Sequence, residues 1–586
     1  MKKMLFLSLI LILAATVPAQ NQTAKITVPL RFDHYYTLEQ VYEAVQAINK
    51  AYPEMTKVEE AGKSEEGRPI YAVTINNPKT GAALTKPGIY VDGNIHGNEI
   101  QGGEICLYLM DYLLGNYGKN KDVTELLDKK VFYVIPVVNP DGRWHFMKDA
   151  NTSDSNRSLR IPVDDDKDGL VDEDFPDDLD GDGNITMMRR KDPYGMFKTD
   201  PEDPRLMVQV KPGEKGEWTL LGDEGIDNDG DGLVNEDSEG YVDPNRQWGF
   251  DWAPPYVQSG SGEYPFQAVG LKGLALWIQT KTNICVGWTF HNFGGMYLRG
   301  PSRKGLGEYP PQDVAVYDYI GKQAERITPG YKYMISWKDL YTTYGDSLEW
   351  LCQTLGTYGY CGEVYQSQSE AFQGVSEKKA EKPSAEGIRG MLMGEVTELE
   401  RLKFSDSLAQ GDLFKPWKPF KHPTYGDIEI GGWVKISTRL GAPFLLPDLV
   451  HRNAMAVIFS AKHVPEVNLE VTEVKKLGED LYRVRTRLAN GKAMPTMTYQ
   501  AQKVRLYPKD TLKVAGANAK VVAGGILTDP FNDRVTYKKY RPEVQFLVVP
   551  GFSKTDYQFL VQGKGEITVH YESRHGGTQE KKVKLD

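Results

Sequence analysis

The first residues with the makings of a reactive site are His96 and Glu99, three apart in the glycine-rich turn Asp92-Gly93-Asn94-Ile95-His96-Gly97-Asn98-Glu99. An imidazole nitrogen and a carboxylate oxygen are both competent zinc ligands, and a catalytic zinc takes three protein ligands with one position left open. A different metal chemistry is written further along. Asp164-x-Asp166-x-Asp168-Gly169, Asp178-x-Asp180-x-Asp182-Gly183 and Asp227-x-Asp229-x-Asp231-Gly232 each set alternate carboxylates on a turn closed by glycine. Hard cations such as calcium take oxygen ligands arranged in this way, and so many carboxylates repel one another without a cation. The first run continues Leu170-Val171-Asp172-Glu173-Asp174 and the third Leu233-Val234-Asn235-Glu236-Asp237, which reads as an internal duplication. None has the Glu that an EF-hand places at the end of its loop, so these are calcium loops of a related style only.

Such residues need elements that deliver them to one place. From Thr37 to about Asp149 the pattern alternates helix and strand: a helix over 38–49, strands over 70–75 and 88–91, a helix over 100–114. Lys130 to Val138 is a nearly continuous apolar run, as in a strand buried on both faces. The alternation predicts an α/β domain with a mixed central sheet flanked by helices. His96 and Glu99 then leave the C-terminal edge of a strand, where open α/β sheets place their ligand sites. Residues 154–243, rich in Asp and Gly, interrupt the pattern as a long insertion. It resumes with a strand over 284–290, a helix over 313–327 and a strand ending at Glu363. A polar surface loop over 366–383, a helix over 385–402 and a last helix over 447–462 follow. After Pro465, alternating runs such as Leu481-Tyr482-Arg483-Val484-Arg485-Thr486 predict an all-β sandwich of about seven strands, with the boundary near 463–466.

The segment Gly93 to Glu99, with Asn139-Pro140-Asp141-Gly142 after the next buried strand, resembles the M14 family of zinc carboxypeptidases. The resemblance implies a third zinc ligand after a later strand, and His291 ends Cys285-Val286-Gly287-Trp288-Thr289-Phe290 in that way. It implies a general base, Glu363, thirteen residues after the Trp of Ser347-Leu348-Glu349-Trp350. It implies a clamp for the substrate's terminal carboxylate, Asn245 and Arg246 in Asp243-Pro244-Asn245-Arg246-Gln247-Trp248; the planar fork of Arg suits such a partner. A further Arg should polarise the scissile carbonyl, and Arg189 is the choice, with Arg190 the alternative. A mobile Tyr should close over the substrate, either Tyr341 or Tyr344. Leu348 falls where the family lines its specificity pocket, which favours an apolar or aromatic C-terminal residue. The pancreatic members carry an Arg between the first His and Glu, whereas this chain has Asn98. That difference and the appended β-domain resemble the carboxypeptidase N/E branch, whose β-domain is transthyretin-like. The implied activity is release of C-terminal residues from peptides or proteins. Action on cell-wall peptides, or an inactive peptide-binding protein on the same fold, are the alternatives.

Composition sets the remaining bounds. The 586 residues suit two or three domains, and the net charge of −10 argues against a nucleic-acid partner. Lys2 and Lys3, an apolar run from Met4 to Ala15 broken only by Ser8, and Val17-Pro18-Ala19 read as a signal peptide over 1–19. That run falls short of the ~20 residues that span a bilayer, and no later segment approaches that length. The chain is therefore expected to be secreted or periplasmic, with a catalytic domain over 20–464 and the β-domain over 465–586. Four cysteines do not make a disulfide framework; Cys352 and Cys361 could pair, yet their apolar surroundings suit buried free thiols at least as well.

Overall fold

Strand Val131–Ile135 is buried along its whole length, as its unbroken apolar run requires, and sits inside an eight-stranded sheet. The computed structural model describes residues 26–162, 164, 169–237, 240–365 and 397–585. The expected signal peptide, Asp166 and Asp168, and the polar loop from 366 lie outside these residues. So does most of the helix expected over 385–402; the described helix there is Glu398–Leu408.

The sheet order is Thr56–Lys63, Pro69–Ile75, Val131–Ile135, Gly88–Gly93, Ile284–Asn292, Tyr358–Val364, Met296–Arg299, Lys332–Ile335. Parallel and antiparallel pairs are mixed, but Gly88–Gly93, Ile284–Asn292 and Tyr358–Val364 form a consecutive parallel trio. Helices cover both faces. On one, Leu38–Ala51, Gln101–Asn116, Pro311–Ile327 and Leu446–Lys462 share a core with the sheet; on the other, Val269–Gln279 and Ser347–Leu355 do so. Helix Leu38–Ala51 shows why these segments are helical. Thr37 and Gln40 form a reciprocal capping box, and Leu38, Val41, Ala44, Val45 and Ile48 make one buried stripe. Trp288, on the middle strand of the trio, stacks on Tyr360 of its neighbour with ring centroids 4.7 Å apart.

The insertion is more ordered than its composition suggests. Its strands Met187–Lys191, Phe197–Thr199, Met207–Gln209 and Trp218–Asp223 join the hairpin Phe414–His422 and Gly426–Trp433 in a six-stranded accessory sheet. Two of that sheet's six strands come from residues far downstream, so no local pattern announced it. From Val467 the chain forms a nine-stranded antiparallel sheet in place of the expected seven strands, with one short helix, Tyr499–Val504. Its first and last strands approach each other through Gln579, whose side chain accepts from the Leu469 amide and donates to the Val467 carbonyl. The sheet is thus nearly closed around its own apolar core. All four cysteines are buried free thiols, so Cys352 and Cys361 do not pair. No described helix is long and apolar enough to cross a membrane.

Candidate metal and catalytic site

The parallel trio delivers four side chains to one edge. Gly88–Gly93 runs into the turn bearing His96 and Glu99, Ile284–Asn292 carries His291, and Tyr358–Val364 carries Glu363 in register with His291. The turn after the first strand is held by Asn94, which adopts φ 58° and donates from Nδ2 to the carbonyls of His96 and Gly97. Asn tolerates this left-handed conformation better than most residues. Gly97 is required by a neighbour: a Cβ there would stand 2.1 Å from the carbonyl oxygen of Asn156. Only glycine lets the segment carrying Arg157 lie against the metal-ligand turn, where the Gly97 amide donates to the Arg157 carbonyl at 3.1 Å.

Nδ1 of His96, Nδ1 of His291 and Oε2 of Glu99 converge. The nitrogens lie 3.2 Å apart, and Oε2 is 2.9 Å from the first and 3.1 Å from the second. Donors around a tetrahedral zinc, at ~2.0–2.2 Å from the ion, stand about 3.3–3.5 Å from one another. All three residues are buried, and their donor set of two imidazoles and a carboxylate fits zinc. The outer contacts fit too. His96 Nε2 faces Asp243 Oδ1 at 3.1 Å, which leaves Nδ1 as the free lone pair, and His291 Nε2 faces the Thr289 hydroxyl at 3.4 Å. Burial opposes ionisation of Glu99, but the charges of His96 and Arg157 overcome it and hold the carboxyl well below its ordinary range. Glu363 goes the other way: burial first, then the Glu99 carboxylate, push it up to about 7 against the pull of His291 and Arg157.

One cavity is lined by His96, His291, Glu363, Asn245, Arg246 and Tyr341. Asn245 Oδ1 accepts from the Ser347 amide at 2.9 Å, and its Nδ2 donates to no described residue. Leu348 forms an apolar wall with Leu298, Leu340 and Cys361. Of the two tyrosines, Tyr344 is held elsewhere, under the Arg303 guanidinium at 5.4 Å and with its amide on Gln258.

Arg189 is not part of this cluster. It lies in the accessory sheet, paired across strands with Glu429 at 2.6 and 2.8 Å, its guanidinium between the rings of Trp218 and Trp417 at 4.0 and 4.1 Å. Arg190 is on the same strand, opposite Thr219. The arginine at the metal-ligand cluster is Arg157, which the sequence reading missed. Its Nη1 donates to Glu99 Oε1 at 2.6 Å, and its Nη2 lies 3.0 Å from His96 Nε2 and 3.4 Å from Asp243 Oδ2. The available signal was order along the chain: Arg157 lies at the very start of the insertion, before its first aspartate run at Asp164, whereas Arg189 lies beyond the second run.

Part of the acidic pattern forms clusters. Asp178 and Asp180 converge with the buried Glu224, while Asp182 turns to Lys415 at 3.1 Å. Asp227, Asp229 and Asp231 converge, and Asp229 also meets Asp174 and Glu236. Asp164 appears in no such group, and its partners Asp166 and Asp168 are outside the described residues. Burial and the neighbouring Asp180 carboxylate push Glu224 up to about 7, despite hydrogen bonds from Thr186.

A family model described as zinc carboxypeptidase matches residues 41–186 and 228–381, just over half of the chain. A second model, a domain of unknown function, matches 466–584. Among curated proteins, carboxypeptidase D of Drosophila melanogaster is 37% identical over 114 residues, 19% of this chain and 8% of that protein. Carboxypeptidase B2 of Bos taurus is 30% identical over 145 residues, 24% of this chain and 34% of that protein. The chain thus covers only a minor part of these relatives' lengths. Among solved structures, bovine thrombin-activatable fibrinolysis inhibitor in complex with a tick carboxypeptidase inhibitor aligns with TM-score 0.40 and 15% identity. That alignment covers 74% of this chain and 98% of the other.

Proposed function

Because this chain belongs to the zinc carboxypeptidase family, we propose that it is an exported enzyme that hydrolyses the C-terminal peptide bond of peptides or proteins. The observation that carries this reading is one cavity holding two of three metal-ligand residues, a carboxylate of raised pKa and an Asn–Arg pair. His96, Glu99 and His291 would hold the zinc, which would supply the Lewis acidity that lets an attacking water give up its proton near neutral pH. Glu363 accepts that proton and passes it to the leaving amine. Arg157 donates to the scissile carbonyl oxygen as negative charge develops on it. Asn245 and Arg246 bind the substrate's terminal carboxylate, Tyr341 covers it, and the wall built on Leu348 takes an apolar or aromatic C-terminal side chain. Export rests on Lys2-Lys3, the apolar run and Val17-Pro18-Ala19.

The test is a mass ladder from a peptide with zinc-loaded full-length enzyme. Successive single-residue losses from the C-terminus are expected, and a C-terminally amidated copy should resist. Equal cleavage of both copies, or internal cuts, would reject the exopeptidase reading.

Calcium belongs to the same proposal. Asp178, Asp180 and Glu224 form one set of oxygen ligands, and Asp227, Asp229 and Asp231, with Asp174 and Glu236 beside them, form another. The first loop leads into strand Met187–Lys191 and the second follows strand Trp218–Asp223, so bound calcium would fasten the accessory sheet. It would also anchor the chain that goes on to Asn245 and Arg246. At one hundred times its Kd a ligand stabilises by ~2.7 kcal/mol, which for a catalytic unit of this size raises Tm by about 3 °C per site. A zinc-loaded sample treated with a calcium-selective chelator should melt lower by that amount and recover on adding calcium. An unchanged Tm removes calcium from the reading.

A further inference from the structure

Glu99 has a second cation beyond Arg157. Its Oε1 lies 3.8 Å from Nη1 of Arg439, a residue between strand Gly426–Trp433 and helix Leu446–Lys462. The backbone of Arg439 is fixed to the metal-ligand strand: its carbonyl accepts from Nδ2 of Asn292, which follows His291 and is 2% exposed. The guanidinium stands over the ring of Phe293 at 5.5 Å and donates from Nε and Nη2 to Asp154 Oδ1 at 2.8 and 2.6 Å. Arg439 does not line the cavity that contains Asn245, Arg246 and Leu348. Its partners Asp154, Phe293 and Asn292 are absent from that lining as well, so it stands beside Glu99 but outside the cavity that holds the carboxylate clamp.

A peptide with its last residue in the cavity and its scissile carbonyl at the ligand cluster must run its remaining length out of the site. Arg439 is a cation beside the ligand cluster and outside that cavity, and its present partner is easily displaced. The Asp154 side chain is 72% exposed, and exposed pairs of this kind contribute only ~0–1 kcal/mol. Asn98, between the two first metal-ligand residues, donates to the carbonyls of Ser153 and Asp154 and so fixes the loop that presents the competing carboxylate.

We infer that Arg439 forms a binding subsite for an acceptor oxygen of the substrate on the N-terminal side of the scissile bond, with Asp154 as the group it releases. This rests on the exopeptidase reading of the site. The oxygen has two sources, a main-chain carbonyl or an Asp or Glu side chain, and both offer the acceptor that a guanidinium takes.

Calorimetry on zinc-loaded, full-length Glu363→Gln enzyme separates binding from turnover. The probes are a desamino dipeptide, which has no acceptor oxygen N-terminal to its scissile carbonyl, and N-acetylated tetrapeptides with the same C-terminal residue, carrying either Ala or Glu at the added positions. Adding Arg439→Ala is expected to weaken the tetrapeptides about tenfold, as for loss of one charged hydrogen bond, and to leave the dipeptide unchanged. Loss confined to the Glu peptide supports side-chain recognition, and loss in both supports the carbonyl. Equal loss for dipeptide and tetrapeptides, or no loss, overturns the subsite. Asp154→Ala leaves the Arg439 side chain in place and should tighten tetrapeptide binding; unchanged binding overturns the exchange. Zinc content is measured in each variant to show that Glu99 still holds its ion. Wild-type hydrolysis is scored separately, so length-dependent binding without C-terminal release would count against the exopeptidase reading and not against Arg439.

Discussion

Glu363→Gln is expected to slow release of C-terminal residues by roughly 10²–10⁴-fold, the contribution of a positioned general base, with zinc content unchanged. Gln keeps the shape of the side chain and removes only its capacity to take a proton. Zinc should stay because the proposed ligand set is His96, Glu99 and His291, while Glu363 is a neighbour in register on the next strand. The same residue sets the pH profile. Burial, helped by the Glu99 carboxylate, pushes Glu363 up to about 7. A base works in its ionised form, so kcat/KM should be full above that pKa and fall tenfold per pH unit below it. Zinc charge beside Glu363 favours the carboxylate and moves the limb to lower pH, so the midpoint belongs between the ordinary carboxylate range and about 7. The residual activity of the Gln variant should lack this limb. A Gln variant as active as wild type, or one that keeps the acid limb, would take the base role away from Glu363.

The second large effect separates two arginines. Arg157→Ala is expected to lower kcat by about 10²–10³, the usual loss when one oxyanion donor is removed. Arg157→Lys should recover part of it, since a point charge replaces the fork that now spans Glu99, His96 and Asp243. Because Arg157 also neutralises two buried carboxylates, zinc affinity and Tm must be read in the same variants, and the rate loss must persist at saturating zinc. Arg189→Ala supplies the contrast. Its guanidinium lies between Trp218 and Trp417 and pairs with Glu429, so its loss should destabilise by about 2 kcal/mol and leave kcat/KM within about twofold. The reverse outcome, rate lost with Arg189 and kept without Arg157, would restore the assignment made from sequence.

That misassignment marks where sequence reasoning stopped. His96 and Glu99 were legible because they stand three positions apart in one turn, and the turn's own Asn94 and Gly97 are written beside them. His291 and Glu363 were legible through the family resemblance, each near the end of an expected strand, and the structure sets those strands adjacent and parallel. Arg157 sits on an irregular segment with no period to read, and the contact that places it is between backbone atoms at Gly97 and Asn156. Likewise the acidic insertion looked like loop. Strand Met187–Lys191 becomes a strand by pairing with Gly426–Trp433, more than two hundred residues later.

By itself, then, the sequence put forward His96 and Glu99 from a local turn, and through its family resemblance Glu363 and the Asn245–Arg246 pair, because each is carried by a short run of chain. Only the tertiary structure decided which arginine stands at the metal-ligand residues, which tyrosine faces the cavity, and which acidic residues converge. Those choices depend on long side chains reaching across elements and on strand partners distant in sequence, and hydrogen-bond register between such segments exists only once the chain has folded.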